Sequence, residues 1–222
     1  MEEENKQIKF KILGIILIFV TIVITYGFTI GIKGLKIKEY TVIDKDLPIS
    51  FYGLKIVHFS DLHYGRTIDD KNIVKIINEI NNLNGDIVVF TGDLLDRDTK
   101  INTNIKNILI ENLSKIKSTY GNYFVGGNHD VENKSFYEIM ENSNFINLEE
   151  NSDNIYIEKE YISLMGISSS TRKNVDISYI KEMDLAKYKI FLMHEPDNYK
   201  YIKNNKFDLI LAGHSHNGQV RL

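Results

Sequence analysis

The 222-residue chain has no cysteine and no tryptophan. Disulfides, thiolate metal sites and cysteine nucleophiles are thereby excluded, and any metal must be held by oxygen and imidazole donors. Proline occurs only as Pro48 and Pro196, so there is no proline-rich linker. Arginine is limited to Arg66, Arg97, Arg172 and Arg221, and every other basic side chain is lysine. Charge is unevenly spread. Residues 1–38 hold six lysines and three glutamates, about +3, within a chain of net charge −3, so residues 39–222 carry about −6. A net-acidic body lacks the basic footprint of a nucleic-acid binder, and no nucleic-acid partner is expected.

Charge is also missing from Ile12 to Ile32, which is 21 residues. As a helix they would span roughly 31 Å, about the hydrocarbon thickness of a bilayer. Lys9 and Lys11 flank one end, and Lys33, Lys36 and Lys38 the other. A cleaved signal peptide would have a shorter apolar run and a small-residue cleavage site after it. The expectation is an uncleaved transmembrane helix over 12–32, within an anchor segment 1–38. A lead-in over 39–53 and a folded domain over 54–222 follow. Lysines are nearly balanced across the span, so the positive-inside rule hardly discriminates between orientations.

Beyond the anchor, short apolar runs alternate with segments of helical period. Strands are expected at 54–59, 86–91, 122–125, 189–193 and 208–212, with two more inside 154–167. Helices are expected at 70–83, 101–116, 135–142, 177–186 and near 197–203. This alternation indicates an α/β domain with sheets packed between helices.

Each expected strand outside 154–167 runs into a polar cluster. Leu54–Phe59 leads to Asp61-Leu62-His63, Asp86–Thr91 to Gly92-Asp93, and Asn122–Val125 to Gly126-Gly127-Asn128-His129-Asp130. Lys189–Met193 leads to His194, and Asp208–Ala212 to Gly213-His214-Ser215-His216. Sites in α/β sheets form at carboxyl ends of strands. Taken singly, each cluster is as readily a turn or a satisfied core residue. Together they gather five of the six histidines, and only His58 lies inside a strand, where it reads as core or as a neighbour of the site. In extended geometry Asp61 and His63 would point the same way, as would His214 and His216. Carboxylate, imidazole and amide oxygen together suit Mn, Fe, Zn or Co.

The ordered blocks DLH, GD, GNHD, H and GHSH resemble the calcineurin-like metallophosphoesterases over Leu54 to Val220. Their context, SDLH, MHEPD and GHSHNGQ, resembles the membrane-anchored prokaryotic phosphodiesterase branch. The resemblance implies a four-layer α/β/β/α sandwich and two divalent cations, with manganese the first choice. It implies that Asp61, His63 and His216 hold one cation, that Asn128, His194 and His214 hold the other, and that Asp93 bridges them. His129 would act on the substrate as general acid or transition-state stabiliser, beside Asn128 and Asp93. The expected nucleophile is a hydroxide bridging the metals. The family continues with further strands after the GHxH block, so C-terminal strands of the sandwich are expected to be missing here. The expected substrate is a phosphodiester or pyrophosphate, lipid-linked or part of the envelope, because the anchor holds the domain at a membrane. The branch favours the extracytoplasmic side of the cell membrane. Two other readings are a nuclease of the same superfamily and an inactive metal-binding scaffold at the membrane.

Overall fold

The structure is a computed structural model that describes residues 2–29, 35–169, 177–181 and 186–216. The chain divides into two compact units, Met1–Val42 and Ile43–Leu222.

Among its described residues the first unit holds one helix, α1 (Glu2–Thr29). Its window Asn5–Tyr26 is long and apolar enough to cross a membrane, with a mean hydropathy of 2.4 and no part buried within the chain. The helix begins well before the uncharged run, because lysine and glutamate are good helix formers and need no apolar neighbours. Ile30, Gly31 and Ile32 of the expected span lie outside the described residues.

The second unit contains two four-stranded sheets. β1 (Ile56–Phe59), β2 (Ile87–Phe90), β3 (Asn122–Phe124) and β4 (Phe145–Asn147) pair in that order, all parallel. The connections carry α2 (Asp70–Asn82), α3 (Thr103–Leu113) and α4 (Lys134–Asn142). β5 (Asn151–Ile157) and β6 (Glu160–Gly166) form an antiparallel hairpin. β7 (Lys189–Met193) and β8 (Leu209–Ala212) extend that sheet in parallel. A short α5 (Tyr199–Ile202) lies between them.

Period-2 alternation sorts the strand residues into layers. On β2, Val88 and Phe90 join the cluster that packs against Ile73, Ile77, Leu109, Leu113, Phe136 and Ile139 of the helices. Ile87 and Val89 turn the other way, onto Ile162, Leu164, Ile190 and Leu192 of the second sheet. On β7, Phe191 and Met193 face outward, onto Ile180 and Ile202. The order is therefore helices, sheet, sheet, helical turns, as the four-layer sandwich requires. The three helices that connect the strands of the first sheet start at side-chain caps: Asp69 accepts from the N–H groups of Lys71 and Asn72, Asn102 from Ile105, and Asn133 from Ser135. Such caps are worth about 1 kcal/mol each.

Two local expectations change. Residues 177–186 were expected to be one helix. Ser178–Lys181 is instead a 3-10 turn, and residues 182–185 lie outside the described set. β4 was not foreseen. It is three residues long, too short for any alternation to register.

Candidate metal centre

The loops after β1, β2, β3, β7 and β8 meet at the carboxyl ends of the strands. Backbone bonding continues past the strands and holds them together. Asp61 N–H donates to Gly92 O (2.9 Å), His63 N–H to Asp93 O (3.0 Å), and Gly213 N–H to His194 O (3.1 Å). The Asp61 carboxylate takes the His214 backbone N–H at 3.1 Å, which ties the end of β8 to the end of β1.

All seven expected ligands are brought together. Asp61, His63 and His216 offer one donor atom each within a single small cluster, and Asp93, His194 and His214 form a second. Asn128 belongs with the second, since its Oδ1 lies 3.2 Å from His194 Nε2. The Asp93 carboxylate faces both. Its Oδ2 is 3.5 Å from His63 Nε2 and 3.3 Å from His194 Nε2. Its Oδ1 accepts the backbone N–H of His129 at 2.9 Å.

The side chains converge by a route other than extended geometry. Asp61 (φ 55°), His63 (φ 43°), Asp93 (φ 60°), His214 (φ 64°) and His216 (φ 46°) all adopt the left-handed region. That conformation costs a non-glycine residue energy and concentrates at functional sites. Glycine clears the space behind it. A Cβ on Gly127 would sit 2.6 Å from Asp93 N and 2.8 Å from Asp93 Cγ. On Gly92 (φ 94°) it would sit 2.7 Å from His194 Nδ1.

The donor set fits a divalent cation. Imidazole nitrogens face one another without a carbonyl or hydroxyl between them: His63 Nε2 and His216 Nε2 at 3.3 Å, His194 Nε2 and His214 Nδ1 at 3.3 Å. Two nitrogen lone pairs at that separation, each beside a carboxylate oxygen, are better satisfied by a shared cation than by each other. His194 Nδ1 lies 2.6 Å from Thr91 O. Donation to that carbonyl puts the Nε2 lone pair on the cluster side. Burial disfavours the His194 imidazolium, but the hydrogen bond and charge of Asp93 outweigh it, and the pKa is lifted to about 9. Burial pushes His63 below the ordinary histidine range. Asp93 is held down despite its burial, mainly through its hydrogen bond to His194.

His129 stands beside this cluster, its ring edge-on to His63 at 4.8 Å. Its Nδ1 accepts the Arg97 backbone N–H at 3.1 Å. Two other residues, Asp96 and Thr91, shape the site and were not singled out in the sequence for that role. Asp96 is buried, with Oδ1 3.6 Å from His63 Nδ1 and 3.8 Å from His129 Nδ1. Its signal was an acid three residues beyond Asp93 in the same turn. Thr91 contributes the carbonyl to His194 and its Oγ1 to His58 Nε2 at 2.7 Å. His58 is thus a neighbour of the site, on edge strand β1, and burial lowers its pKa to about 4. Asp130 closes the GNHD cluster and is turned away from the ligand side chains. It is fully buried and instead accepts four backbone N–H groups, from Asp93 (2.5 Å), Leu94 (3.2 Å), Leu95 (3.2 Å) and Gly127 (3.1 Å).

Residues 54–218 match the family model for calcineurin-like phosphoesterases. The chain belongs to the calcineurin-like phosphoesterase family. That family is one of metal-dependent phosphoester hydrolases. The chain is 28% identical to an uncharacterized metallophosphoesterase of Campylobacter jejuni, covering 85% of this chain and 50% of that protein. It is 30% identical to the uncharacterized metallophosphoesterase YkoQ of Bacillus subtilis, covering 95% and 78%. It is 26% identical to a transmembrane protein with metallophosphoesterase domain of Danio rerio, covering 92% and 49%. The chain spans about half the length of several of these relatives. Among solved structures, TT1561 of Thermus thermophilus shares the fold, with a TM-score of 0.50 at 12% identity over 72% of this chain and 81% of that one. Helix α1 is long and apolar enough to cross a membrane, and the relatives of Danio rerio and Bos taurus are named as transmembrane proteins with a metallophosphoesterase domain.

Proposed function

We propose that residues 54–222 form a binuclear phosphoesterase that hydrolyses a phosphodiester or pyrophosphate, carried on a membrane by an anchor within residues 1–38 and a lead-in over 39–53. Asp61, His63 and His216 would hold one divalent cation and Asn128, His194 and His214 the other, with Asp93 serving both clusters. The observation that carries this reading is the Asp93 carboxylate, which lies 3.5 Å from a histidine of one cluster and 3.3 Å from a histidine of the other. Bound cations would neutralise phosphoryl oxygens and acidify water.

The chain's own residues do the rest. Thr91 O fixes the His194 ring through Nδ1, so that Nε2 faces the cation. The Arg97 N–H engages His129 Nδ1, which leaves Nε2 to carry the proton donated to the leaving oxygen. Asn128 places an amide beside the transferring group, where it stabilises developing negative charge. Asp96 lies behind the His63 ring, 3.6 Å from its Nδ1, and orients it.

Chelation of the solubilised full chain should abolish hydrolysis of bis(4-nitrophenyl) phosphate, and added manganese should restore it. Elemental analysis at saturation should approach two cations per chain. Full activity after metal removal would overturn the assignment, and saturation at a single cation would overturn the binuclear part. The substrate class, a lipid-linked or envelope phosphate, rests on the anchor, and so does the extracytoplasmic placement. Protease added outside sealed cells should digest residues 54–222. Protection in sealed cells, lost on lysis, would put the domain inside.

A further inference from the structure

Beside the centre lies an open cleft of about 520 Å³, bounded by the turn after His63, the start of α2 and the loop before α3. Tyr64, Arg66, Thr67, Lys71, Asn72 and Thr99 line it. The turn that carries Arg66 hangs from ligand residue His63, whose carbonyl accepts the N–H groups of Arg66 (3.1 Å) and Thr67 (2.9 Å). The Arg66 guanidinium lies 3.9 Å from Asp96 Oδ1, at the border of the metal centre, and its side chain is 76% exposed. Cleft and centre thus share one wall.

The charges in the cleft are not equivalent. Its two acids are engaged: Asp69 accepts the N–H groups of Lys71 (3.0 Å) and Asn72 (2.9 Å), and Asp70 accepts the hydroxyl of Tyr64. The two cations are free to act. Lys71 has no ion-pair partner among the described residues, and Arg66 has only the long contact to Asp96. A guanidinium with most of its donors open to solvent is suited to a phosphate or carboxylate.

We propose that this cleft is a subsite for a second anionic group of the substrate, held by Arg66 with help from Lys71. Resting on the phosphoesterase reading above, it narrows the substrate class. The preferred substrate carries a second phosphate or carboxylate next to the scissile phosphate, as a diester of pyrophosphate does, rather than a neutral alcohol on each side.

The test compares two substrates of the solubilised full chain with manganese: ADP-ribose, with two adjacent anionic phosphates, and bis(4-nitrophenyl) phosphate, with one. Arg66→Met should lower the ratio of kcat/KM for ADP-ribose to that for the aryl diester about tenfold, the loss residing in KM. Lys71→Met should move the ratio the same way by a smaller factor, and it stands in if the Arg66 variant unfolds. A ratio constant within twofold in both variants overturns the subsite. So does an equal fall in kcat for both substrates, which would mean that Arg66 acts through Asp96. If the unaltered chain hydrolyses neither compound, the phosphoesterase reading fails and the subsite falls with it. Hydrolysis of both with an unmoved ratio removes the subsite alone.

Discussion

Replacing Asp93 with asparagine should reduce turnover of an aryl phosphodiester by roughly a thousandfold or more, while the chain stays folded. Loss of groups that merely support metal ligands costs about 10- to 100-fold, and Asp93 is placed to do more than support. Asparagine keeps the size of the side chain and one carbonyl oxygen. That oxygen can still accept the His129 N–H now bound by Oδ1 at 2.9 Å. The other position becomes an NH2 group, which points donors at His63 Nε2 and His194 Nε2 where Oδ2 now stands 3.5 and 3.3 Å away. Charge and second acceptor are lost together, at the one place that serves both clusters. Folding should be spared, because the Asp93 charge also raises the pKa of the buried Asp130 carboxyl, and its removal relieves that repulsion. The expected signature is a melting temperature within a few degrees of the parent's and a bound-cation content well below it. Unchanged turnover at saturating manganese would remove Asp93 from its bridging position.

Much of this arrangement was legible in the sequence, for a physical reason. Strands buried on both faces must be apolar throughout, and the first residues beyond them are the first free to be polar, so IVVF of β2 followed by TGD stands out. The four-layer order came from the family resemblance and not from the strands themselves, since β2 and β7 are apolar on both faces and show no alternation. What escaped notice depends on contacts between distant residues. The left-handed backbone at Asp61, His63, Asp93, His214 and His216 has no local signature, because aspartate and histidine carry no glycine-like preference strong enough to announce it. The expected alignment of Asp61 with His63 was right in outcome and wrong in cause. Asp96 carries no motif of its own, and only burial in the fold sets it against two imidazoles. The 177–186 segment carried helical spacing, but its apolar residues Ile177, Tyr179 and Ile180 pack onto the second sheet from a 3-10 turn. The same three side chains satisfy either conformation.

Asp130 should behave in the opposite way to Asp93, with stability failing before chemistry. Its Oδ2 accepts the N–H groups of Asp93, Leu94 and Gly127, and its Oδ1 that of Leu95. One carboxylate therefore locks the turn that presents Asp93 to the turn that presents Asn128 and His129. Burial and the Asp93 charge push its pKa up to about 7, against the N–H groups of Gly127, Leu95 and Leu94, which favour the ionised form. Asparagine supplies a single acceptor oxygen. If that oxygen keeps the three donors of Oδ2, the amide NH2 meets the Leu95 N–H, donor against donor, in a site without solvent. One buried unsatisfied N–H costs about 1–3 kcal/mol. Alanine strands all four, and a loss of several kcal/mol is then comparable to the whole stability of a small domain. Asp130→Asn should therefore lower the unfolding midpoint clearly and weaken cation binding, and Asp130→Ala should leave little folded protein. Denaturant titration of both variants beside Asp93→Asn separates the two carboxylates. If Asp130→Asn unfolds at the parent's midpoint and binds cations as tightly, the two turns are held in register by something other than this side chain.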